Sequence, residues 1–342
     1  MAFYYFILTS AFVLTLLPNK VKYSAYWSFF VLLFIFAAFR SNTVDQDYLG
    51  YIEYYYNAIN GVFWNVEPTF LVIAHATDLV FGSPEWLFVI YALGSVGLMA
   101  IAIKNIERDK LTVTIYYFSG YYLLWSMTQI RVAIAGAIFL FAIPYLTDGK
   151  RLKYALFITL AALFHYLSFA LFFLLPINSR IQSTWRYLFL IPLGIAIYYS
   201  GFNIANLSDF VPIELIAIKL LTYEEQRVSE HNIFNYLFIA RSVFAIFLVF
   251  QIGRLEKFSK YSCVLLKIYL TGLFLHIAFG ASPIASRASE LLLIVEVVLI
   301  VIASKLIGNK LASNFVVFFL AASYLTFNLF YVKIVNPYTF IG

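Results

Sequence analysis

Apolar stretches long enough to cross a lipid bilayer recur along the whole chain. A membrane-spanning helix needs about 20 predominantly apolar residues. Ten stretches approach that length: 2–17, 24–39, 84–103, 111–127, 130–147, 187–200, 233–252, 261–280, 289–304 and 314–333. Of the 342 residues, 63% are hydrophobic and only 12% are charged, whereas soluble domains carry about 25% charged residues. We therefore exclude a soluble enzyme and predict an all-α polytopic integral membrane protein, a single transmembrane domain over residues 1–342 with about 10–12 transmembrane helices.

The distribution of basic residues between the loops predicts the orientation of the chain in the membrane. Six loops carry most of the 23 Lys and Arg residues. They contain Lys20 and Lys22; Lys104, Arg108 and Lys110; Lys150, Arg151 and Lys153; Arg180 and Arg186; Arg254, Lys257 and Lys260; and Lys305 and Lys310. Cytoplasmic loops of membrane proteins are enriched in Lys and Arg, so we place these six loops inside.

This orientation depends on two further apolar stretches, 67–81 and 154–176. It requires that the first does not cross the membrane and that the second turns back at mid-membrane as a re-entrant segment. If 154–176 instead spans the membrane in a straight line, the later loops change sides and the charge asymmetry almost disappears. We favour the re-entrant segment because it preserves the excess of positive charge inside.

The predicted topology leaves two larger loops, about 40–66 and 201–232, on the outer, periplasmic face. The first is rich in Tyr and acidic residues, and the second repeats apolar residues at helical spacing from Ile213 to Leu221. That spacing predicts an amphipathic helix lying on the outer leaflet. The remaining loops are short connectors, so we expect the chemistry to occur at the periplasmic face.

Other features exclude several classes of protein. The net charge of +6 follows from the basic loops, so it does not indicate nucleic-acid binding. The single cysteine, Cys263, excludes an internal disulfide and a Cys-based metal cluster. The sequence contains no P-loop, zinc-protease or nucleophile-elbow motif. We predict no cofactor and no metal site.

Polar residues at the outer ends of predicted helices are candidates for the chemistry. Arg40 ends a predicted transmembrane helix, and Asp45 and Asp47 follow it in the first outer loop. A planar guanidinium suits phosphate or carboxylate groups, and a carboxylate can act as a general base or orient a sugar hydroxyl. An interfacial Arg that reaches toward the headgroups is the alternative. Glu67 precedes Pro68 in a helix-start signal, which also allows Glu67 to face a site.

Arg131, His165 and Arg287 lie within or directly after apolar stretches of the sequence. Arg131 comes after Gln129 between two apolar runs, where an unpaired charge costs at least about 2.5–3.5 kcal/mol. Its partner is either an anionic ligand or, in a short outer turn, water. His165 shares a helical face with Ser168 inside an apolar stretch, and it is either an acid–base group or a satisfied core histidine. Arg287, in a predicted short outer loop, is either a phosphate ligand or an ordinary loop residue.

Three other charged residues are predicted to be structural. Arg241 and Glu296 fall inside predicted spans and can pair with each other, since an unpaired charge there is costly. Lys267 lies one to two turns from the cytoplasmic end of its helix, and its long side chain can reach the interface.

Taken together, these residues resemble the EpsG-type family of polysaccharide polymerases, the Wzy-like O-antigen polymerases. The resemblance rests on Arg40, Asp47-Tyr48, Tyr51, Glu67-Pro68, Gln129, Arg131, Ala135, Phe164-His165, Ser168 and Ser286-Arg287. The order and spacing of these residues agree with the family along residues 35–290. Val132 departs from the pattern, which has a Gln after the Arg, because here a Gln precedes the Arg instead.

The resemblance implies a glycosyltransferase of the bacterial inner membrane whose active site faces the periplasm. Such enzymes transfer a growing glycan from undecaprenyl diphosphate onto a lipid-linked repeat unit, as in O-antigen synthesis for lipopolysaccharide, without nucleotide or metal. The implied partners are the undecaprenyl-diphosphate-linked oligosaccharide, the lipid bilayer and, where there is one, a chain-length regulator protein. The implied catalytic residues are His165, Asp47, Arg131 and Arg287. The implied substrate-binding residues are Arg40, Asp45, Glu67, Gln129, Ser168, Tyr48 and Tyr51.

Within that reaction, the arginines would stabilise the departing diphosphate, and either His165 or Asp47 would accept the proton of the acceptor hydroxyl. Two other functions remain open. A flippase or transporter for lipid-linked glycan fits the many spans and buried charges, although it does not need two outer loops and often has duplicated halves. A membrane O-acyltransferase has a similar length, but it would carry an early Arg–His motif, whereas the first His here is His75.

Overall fold

The computed structural model describes residues 1–62, 66–202 and 235–341. Within these ranges the regular structure is helical, and strand pairing is limited to two isolated bridges. The α-helices are α1 (Ala2–Thr15), α2 (Asn19–Ala38), α3 (Tyr48–Ile59), α4 (Pro68–Phe81), α5 (Glu85–Ile106), α6 (Lys110–Tyr117), α7 (Ile130–Thr147), α8 (Arg151–Phe164), α9 (Thr184–Tyr187), α10 (Leu190–Ser200), α11 (Tyr236–Leu255), α12 (Ser262–Phe279), α13 (Pro283–Leu293), α14 (Glu296–Ser304) and α15 (Lys310–Thr326). The predicted amphipathic helix of the second outer loop lies outside the described residues.

Six helical segments in the described ranges are long and apolar enough to cross a membrane. They are α2, α5, α7, α11, α12 and the continuous stretch Lys310–Val332, in which α15 runs into a π-helix. Large apolar side chains are exposed along these outer surfaces, as expected of helices that face lipid; examples are Leu93, Phe250 and Phe319. The predicted all-α polytopic membrane fold is confirmed.

The other four predicted spans occur as a shorter helix, as a helix that changes from α to π, or as two helices separated by a break. The stretch 2–17 is α1, which is only 14 residues long. The stretch 111–127 is α6 followed by the π-helix Phe118–Thr128. The stretch 187–200 is divided between α9 and α10, and 289–304 falls in α13 and α14, which are separated at residues 294–295. Hydropathy finds these segments, but it cannot place the breaks inside them, because a break depends on local packing.

The stretch 154–176 turns back on itself, as predicted. Helix α8 ends before His165, and a 3-10 helix (Tyr166–Leu174) follows. The Tyr154 hydroxyl donates a hydrogen bond to the carbonyl of Leu171 at 2.9 Å, although a straight helix would separate these residues by roughly 25 Å. The two ends of the segment also lie at the same end of the molecule. Asp148 contacts Lys260, just before α12, and Asn178 contacts Lys267, in the second turn of α12.

Lys267 stabilises the return of this re-entrant segment. Its ammonium group is buried and donates hydrogen bonds to the Asn178 carbonyl at 2.7 Å, the Arg180 carbonyl at 2.9 Å and the Ser183 hydroxyl at 2.6 Å. The predicted position near one end of the helix is correct. The amine, however, does not reach the membrane interface as predicted. Its three N–H donors are instead satisfied by polar atoms of residues 178–183.

The six basic loops gather at one end of the molecule, which we call the basic end. Lys110 lies 4.5 Å from the Tyr23 ring centre, Lys305 lies 2.6 Å from a Glu107 carboxylate oxygen, and Lys260 lies 3.0 Å from Asp148. The same end includes the Lys267 contacts with Arg180. Helix α4 does not cross the bundle, because Glu67 before it contacts Arg131 and Phe88 after it contacts Arg40, both at the opposite end. The opposite end carries the candidate site residues.

The π-helix is packed tightly against α7. Trp125 is fully buried within it, and a Cβ atom at Gly136 would clash with the Trp125 ring. The π-helix leads directly to Gln129 and Arg131, so this contact supports the candidate site. The absence of a side chain at Gly136 is what permits the close approach of the two helices.

We expect Gly136→Ala to destabilise the protein by about 1–3 kcal/mol, the usual cost of overpacking a closely packed core. Gly97→Ala in α5 is the matched control, because a Cβ there meets nothing within 4 Å. The measurement is the fraction of each purified variant that remains monodisperse after heating. Equal thermal stability of the two variants would contradict the packing argument.

The segment 333–341 lies across the first outer loop. The amide of Ser41 donates to the carbonyl of Thr339 at 2.9 Å, and the amide of Asn336 donates to the carbonyl of Val44 at 2.8 Å. The Tyr4 hydroxyl adds a hydrogen bond to the Asn336 carbonyl at 2.8 Å. These backbone contacts hold the residues between Phe39 and Asp45 in place, and nothing in the sequence pattern predicts them.

Candidate functional site

Glu67, Arg131 and His165 meet at the end opposite the basic end, where each lies at an interruption between two helical segments. Glu67 immediately precedes α4, where Pro68 takes the first helical position. Arg131 lies in the first turn of α7, just after the π-helix ends at Thr128. His165 has an extended backbone conformation at the tip of the re-entrant segment. Each side chain is therefore held at a helix terminus, which is where a chain can change direction inside a bundle.

The Glu67 carboxylate bridges the other two side chains. One of its oxygens accepts a hydrogen bond from the Arg131 guanidinium, and the other lies 3.3 Å from Nδ1 of His165. The amide of Tyr166 also donates to Glu67, at 3.4 Å. Burial by itself would raise the pKa of Glu67, but the imidazole of His165 and the charge of Arg131 outweigh it and lower the pKa to about 2. Glu67 is therefore an anion at neutral pH.

Aromatic rings surround the Arg131 guanidinium. Its carbon lies 5.5 Å from the ring centre of Tyr54, 5.7 Å from that of Tyr51 and 5.8 Å from that of Phe70. Such cation–π contacts stabilise a guanidinium without neutralising it. The Arg131 side chain is still 18% exposed, so it is accessible from the outside while its orientation is restricted.

Arg40 is not an interfacial arginine that reaches for the headgroups. It is fully buried and forms an ion pair with Asp45, whose Oδ2 lies 2.6 Å from its Nε. Its Nη1 donates to the carbonyl of Ala37, and its guanidinium carbon lies 4.7 Å from the Phe88 ring centre. Asp45 also accepts a hydrogen bond from the amide of Asp47 at 3.0 Å. The pair therefore shapes the loop that presents Asp47.

Asp47 lies at the surface of the candidate site, where the charges of three arginines act on it. Its position is solvent-exposed, yet the surrounding protein partly desolvates the carboxyl group and raises its pKa. The charges of Arg287, Arg131 and Arg40 oppose this rise, in that order. Arg287 also acts electrostatically on His165. The three arginines predicted from the sequence thus all lie close enough to act on the charge of Asp47.

The secondary structure around Arg287 differs from the prediction of a short outer loop. Helix α13 begins at Pro283, so Arg287 lies in its second turn. Pro at the first helical position starts the helix earlier than the apolar pattern suggests. Arg287 is therefore held on a helix rather than on a connector.

Several buried polar atoms in or near the Glu67 triad, which consists of Glu67, Arg131 and His165, have no hydrogen-bond partner within the described part of the chain. They are Oε1 of Gln129, Oγ of Ser168, Nε of Arg131 and both ring nitrogens of His165, of which Nδ1 lies at ion-pair distance from Glu67. A buried polar atom without a partner costs about 1–3 kcal/mol, so such atoms are expected where a ligand completes them. The two predicted tyrosines, Tyr48 and Tyr51, are instead buried and pack against Phe88.

Sequence reasoning did not find the contacts that organise this site. The bridge from Glu67 to His165 joins residues 98 positions apart. Thr69 supports it, because its hydroxyl donates to the carbonyl of Leu163, two residues before His165, at 2.7 Å. Tyr54 was not predicted either. No local pattern indicates such long-range contacts, although the Glu67-Pro68 helix start marks one participant.

The predicted pairing of Arg241 with Glu296 is confirmed. Nε of Arg241 lies 2.8 Å from Oε2 of Glu296, and both side chains are buried in the helix bundle. Tyrosine hydroxyl groups complete this cluster, which is formed separately from the Glu67 triad. Its closed set of hydrogen bonds indicates a structural role.

The comparisons with known proteins agree with the geometry. A family model described as the EpsG family matches residues 23–340. The chain belongs to the EpsG family. This family is one of Wzy-like polymerases, and the match includes every candidate residue from Arg40 to Arg287. No curated protein and no solved structure matches the chain.

The site of this EpsG-family protein is a set of cations and hydrogen-bonding groups around one carboxylate–imidazole pair. In the described ranges, no group of three or more His, Cys, Asp or Glu side chains could hold a metal ion. Positive charge at the site comes from guanidinium groups, which suit phosphate oxygens. A nearby imidazole in contact with a carboxylate is a common arrangement for proton transfer.

Proposed function

We propose that this protein is a polysaccharide polymerase of the bacterial inner membrane. It transfers a growing glycan from undecaprenyl diphosphate onto a lipid-linked repeat unit at the periplasmic face. The observation that carries this proposal is the Glu67–His165 pair lying beside Arg131 and within the electrostatic reach of Arg287. One site thereby contains a candidate base and cations for a diphosphate. Membership of a Wzy-like polymerase family supports the same reaction.

The proposed reaction is a glycosyl transfer. An acceptor hydroxyl on the lipid-linked repeat unit attacks the anomeric carbon of the growing glycan, and the bond from that carbon to the diphosphate oxygen breaks. The bonding electrons leave with the diphosphate, whose added negative charge Arg131 and Arg287 stabilise. The hydroxyl proton passes to Nε2 of His165, while Glu67 holds the imidazole through Nδ1. Asp47 is the second candidate for the base, since the arginines also surround it.

The energy for this step is already present in the donor. Cleavage of the glycosyl–diphosphate bond drives the transfer, so the proposed reaction requires no nucleotide. In this proposal the Arg40–Asp45 ion pair holds the loop that carries Asp47. The buried polar atoms of Gln129 and Ser168 form hydrogen bonds with sugar hydroxyls. Such atoms gain their missing hydrogen bonds when the substrate binds.

The proposed orientation follows from the basic end. Its loops carry most of the Lys and Arg residues, and cytoplasmic loops are enriched in these residues. The candidate site lies at the other end of the bundle, which is then periplasmic. Lipid-linked repeat units are assembled into polymer on that face in this proposal.

The test is polymerisation by the purified protein in lipid. The protein is supplied with an undecaprenyl-diphosphate-linked repeat unit, without nucleotide, and the product is separated on a gel. We expect a ladder of chain lengths. A single unchanged band from folded protein given the correct unit would overturn the proposal and favour transport. In cells, a polymerase mutant would leave one repeat unit, a flippase mutant none, and an acyltransferase mutant full-length unmodified chains.

His165→Ala tests the assignment of the base. We expect the polymerisation rate to fall by about 10²–10⁴-fold, the usual contribution of a general base. His75→Ala is the matched control, because His75 is an exposed histidine on α4. The rate is measured from the loss of lipid-linked unit with time. A ladder formed at the original rate by the His165 variant would exclude His165 and assign the proton to Asp47.

A further inference from the structure

A cavity at the basic end is built from groups that attract anions. Its volume is about 220 Å³, and it lies where α1, α2, α6 and α15 meet. A second cavity of about 240 Å³ adjoins it and shares Asp109, Lys310 and Asn314 with it. Both are far from the Glu67 triad, because they lie at the opposite end of the helices. The proposed polymerase reaction does not use them.

Positive side chains dominate the lining of the first cavity. Lys22, Arg108, Lys110 and Lys310 face it, and Asp109 is its one acidic lining residue. The Asp109 carboxylate is already engaged, since its oxygens lie 3.2 Å from Nζ of Lys310 and 3.3 Å from Nζ of Lys305. The cavity therefore holds an excess of positive charge that the surrounding protein does not neutralise.

Two of these cations, Lys22 and Lys310, lie close enough for the charge of Lys310 to act unfavourably on Lys22, an effect that the charge of Asp109 partly opposes. Lys110 is also held in place, with its amine 4.5 Å from the Tyr23 ring centre and 4.8 Å from that of Tyr26. An anion in the cavity would convert this repulsion into attraction.

Three helices begin at the cavity. Asn19 is the first residue of α2, Lys110 that of α6 and Lys310 that of α15. Helix N-termini carry partial positive charge, which suits phosphate, although at α15 the Asn309 side chain already accepts a hydrogen bond from the amide of Ala312. The excess of Lys and Arg in cytoplasmic loops explains their presence at this end. It does not explain why four of them converge with three helix N-termini on one cavity.

We propose that this cavity binds a phosphate group, namely the headgroup of an anionic phospholipid from the adjoining leaflet or free inorganic phosphate. Lys22, Arg108, Lys110 and Lys310 are the residues that bind it. A basic pocket between transmembrane helices on the cytoplasmic side is a common form of headgroup site. This inference does not depend on the polymerase reaction, since it concerns the other end of the bundle.

The test is calorimetric titration of the full-length protein in detergent. The probes are short-chain phosphatidylglycerol, short-chain phosphatidylcholine and inorganic phosphate, each titrated separately. We expect phosphatidylglycerol to bind more tightly than zwitterionic phosphatidylcholine. Binding of both phosphatidylglycerol and phosphate, with mutual competition, assigns the site to the headgroup phosphate. Binding of phosphate alone assigns it to the free ion, and binding of neither overturns the proposal.

Paired variants locate the binding. Lys22→Gln combined with Lys310→Gln should weaken binding by about 30-fold, the effect of removing two charges near an anionic group. Lys20→Gln combined with Lys257→Gln removes two charges from exposed positions at the same end outside the cavity lining. If the first pair is not monodisperse, Arg108→Gln replaces it. An equal loss in the control pair, or an unchanged affinity in the cavity variants, would show that the site is elsewhere.

Discussion

Glu67→Gln is expected to slow polymerisation by about 10²–10⁴-fold. The Glu67 carboxylate contacts both the Arg131 guanidinium and Nδ1 of His165. A neutral amide has the same shape, but it removes the negative charge that orients the guanidinium and stabilises an imidazolium after proton transfer. The low pKa of Glu67 means that the wild-type group is charged at neutral pH, so the substitution changes the charge of the site at that pH.

The control for this experiment is Glu53→Gln. Glu53 lies on α3 at an exposed position near the same end, so its replacement removes one negative charge without touching the triad. Polymerisation rate and binding of the lipid-linked unit are measured separately. A loss of rate with retained binding is the expected result. A Glu67 variant that forms the ladder at the wild-type rate would exclude Glu67 as the group that positions His165.

Removing Glu296 alone should be among the most destabilising single changes in the bundle, costing about 3–5 kcal/mol. Glu296 is buried and accepts hydrogen bonds from Arg241 at 2.8 Å, from Tyr116 at 2.7 Å and from Tyr269 at 3.2 Å. In Glu296→Met, the buried guanidinium of Arg241 keeps, among the described residues, its 3.1 Å hydrogen bond to the Tyr324 hydroxyl and its cation–π contacts with Phe238 and Tyr324. The penalty is mainly that of a buried charge that has lost the carboxylate with which it is paired.

The double variant Arg241→Met/Glu296→Met tests that interpretation. It removes both charges, so we expect it to be more stable than Glu296→Met alone, with a coupling between the sites of about 0.5–3 kcal/mol. The exposed pair Lys260 and Asp148 provides the control, because its removal should leave thermal stability almost unchanged. Stability is measured as the temperature at which half the protein loses its monodisperse elution. A double variant as unstable as the single one would show that shape, rather than charge, sets the cost.

The apolar pattern of the sequence determined where the long apolar helices lie along the chain. The predicted span 130–147 coincides with α7, and the ends of the other five long spans lie within about one and a half turns of the predicted ones. The charges of the loops indicated which ends lie together and that 154–176 turns back. The rule that intramembrane charges need partners predicted the Arg241–Glu296 pair. These properties follow from the free energy of transferring each segment from water into lipid, which depends only on the residues of that segment.

The tertiary structure alone decided which helix ends meet. It placed Glu67 between Arg131 and His165, 64 and 98 residues away. It buried Arg40 against Asp45 rather than at the interface, and it put Arg287 on a helix. Hydropathy describes each segment against lipid, whereas these contacts depend on how all the helices pack at once. The candidate residues could be named from the sequence, but the hydrogen bonds that give them their chemistry arise only from that packing.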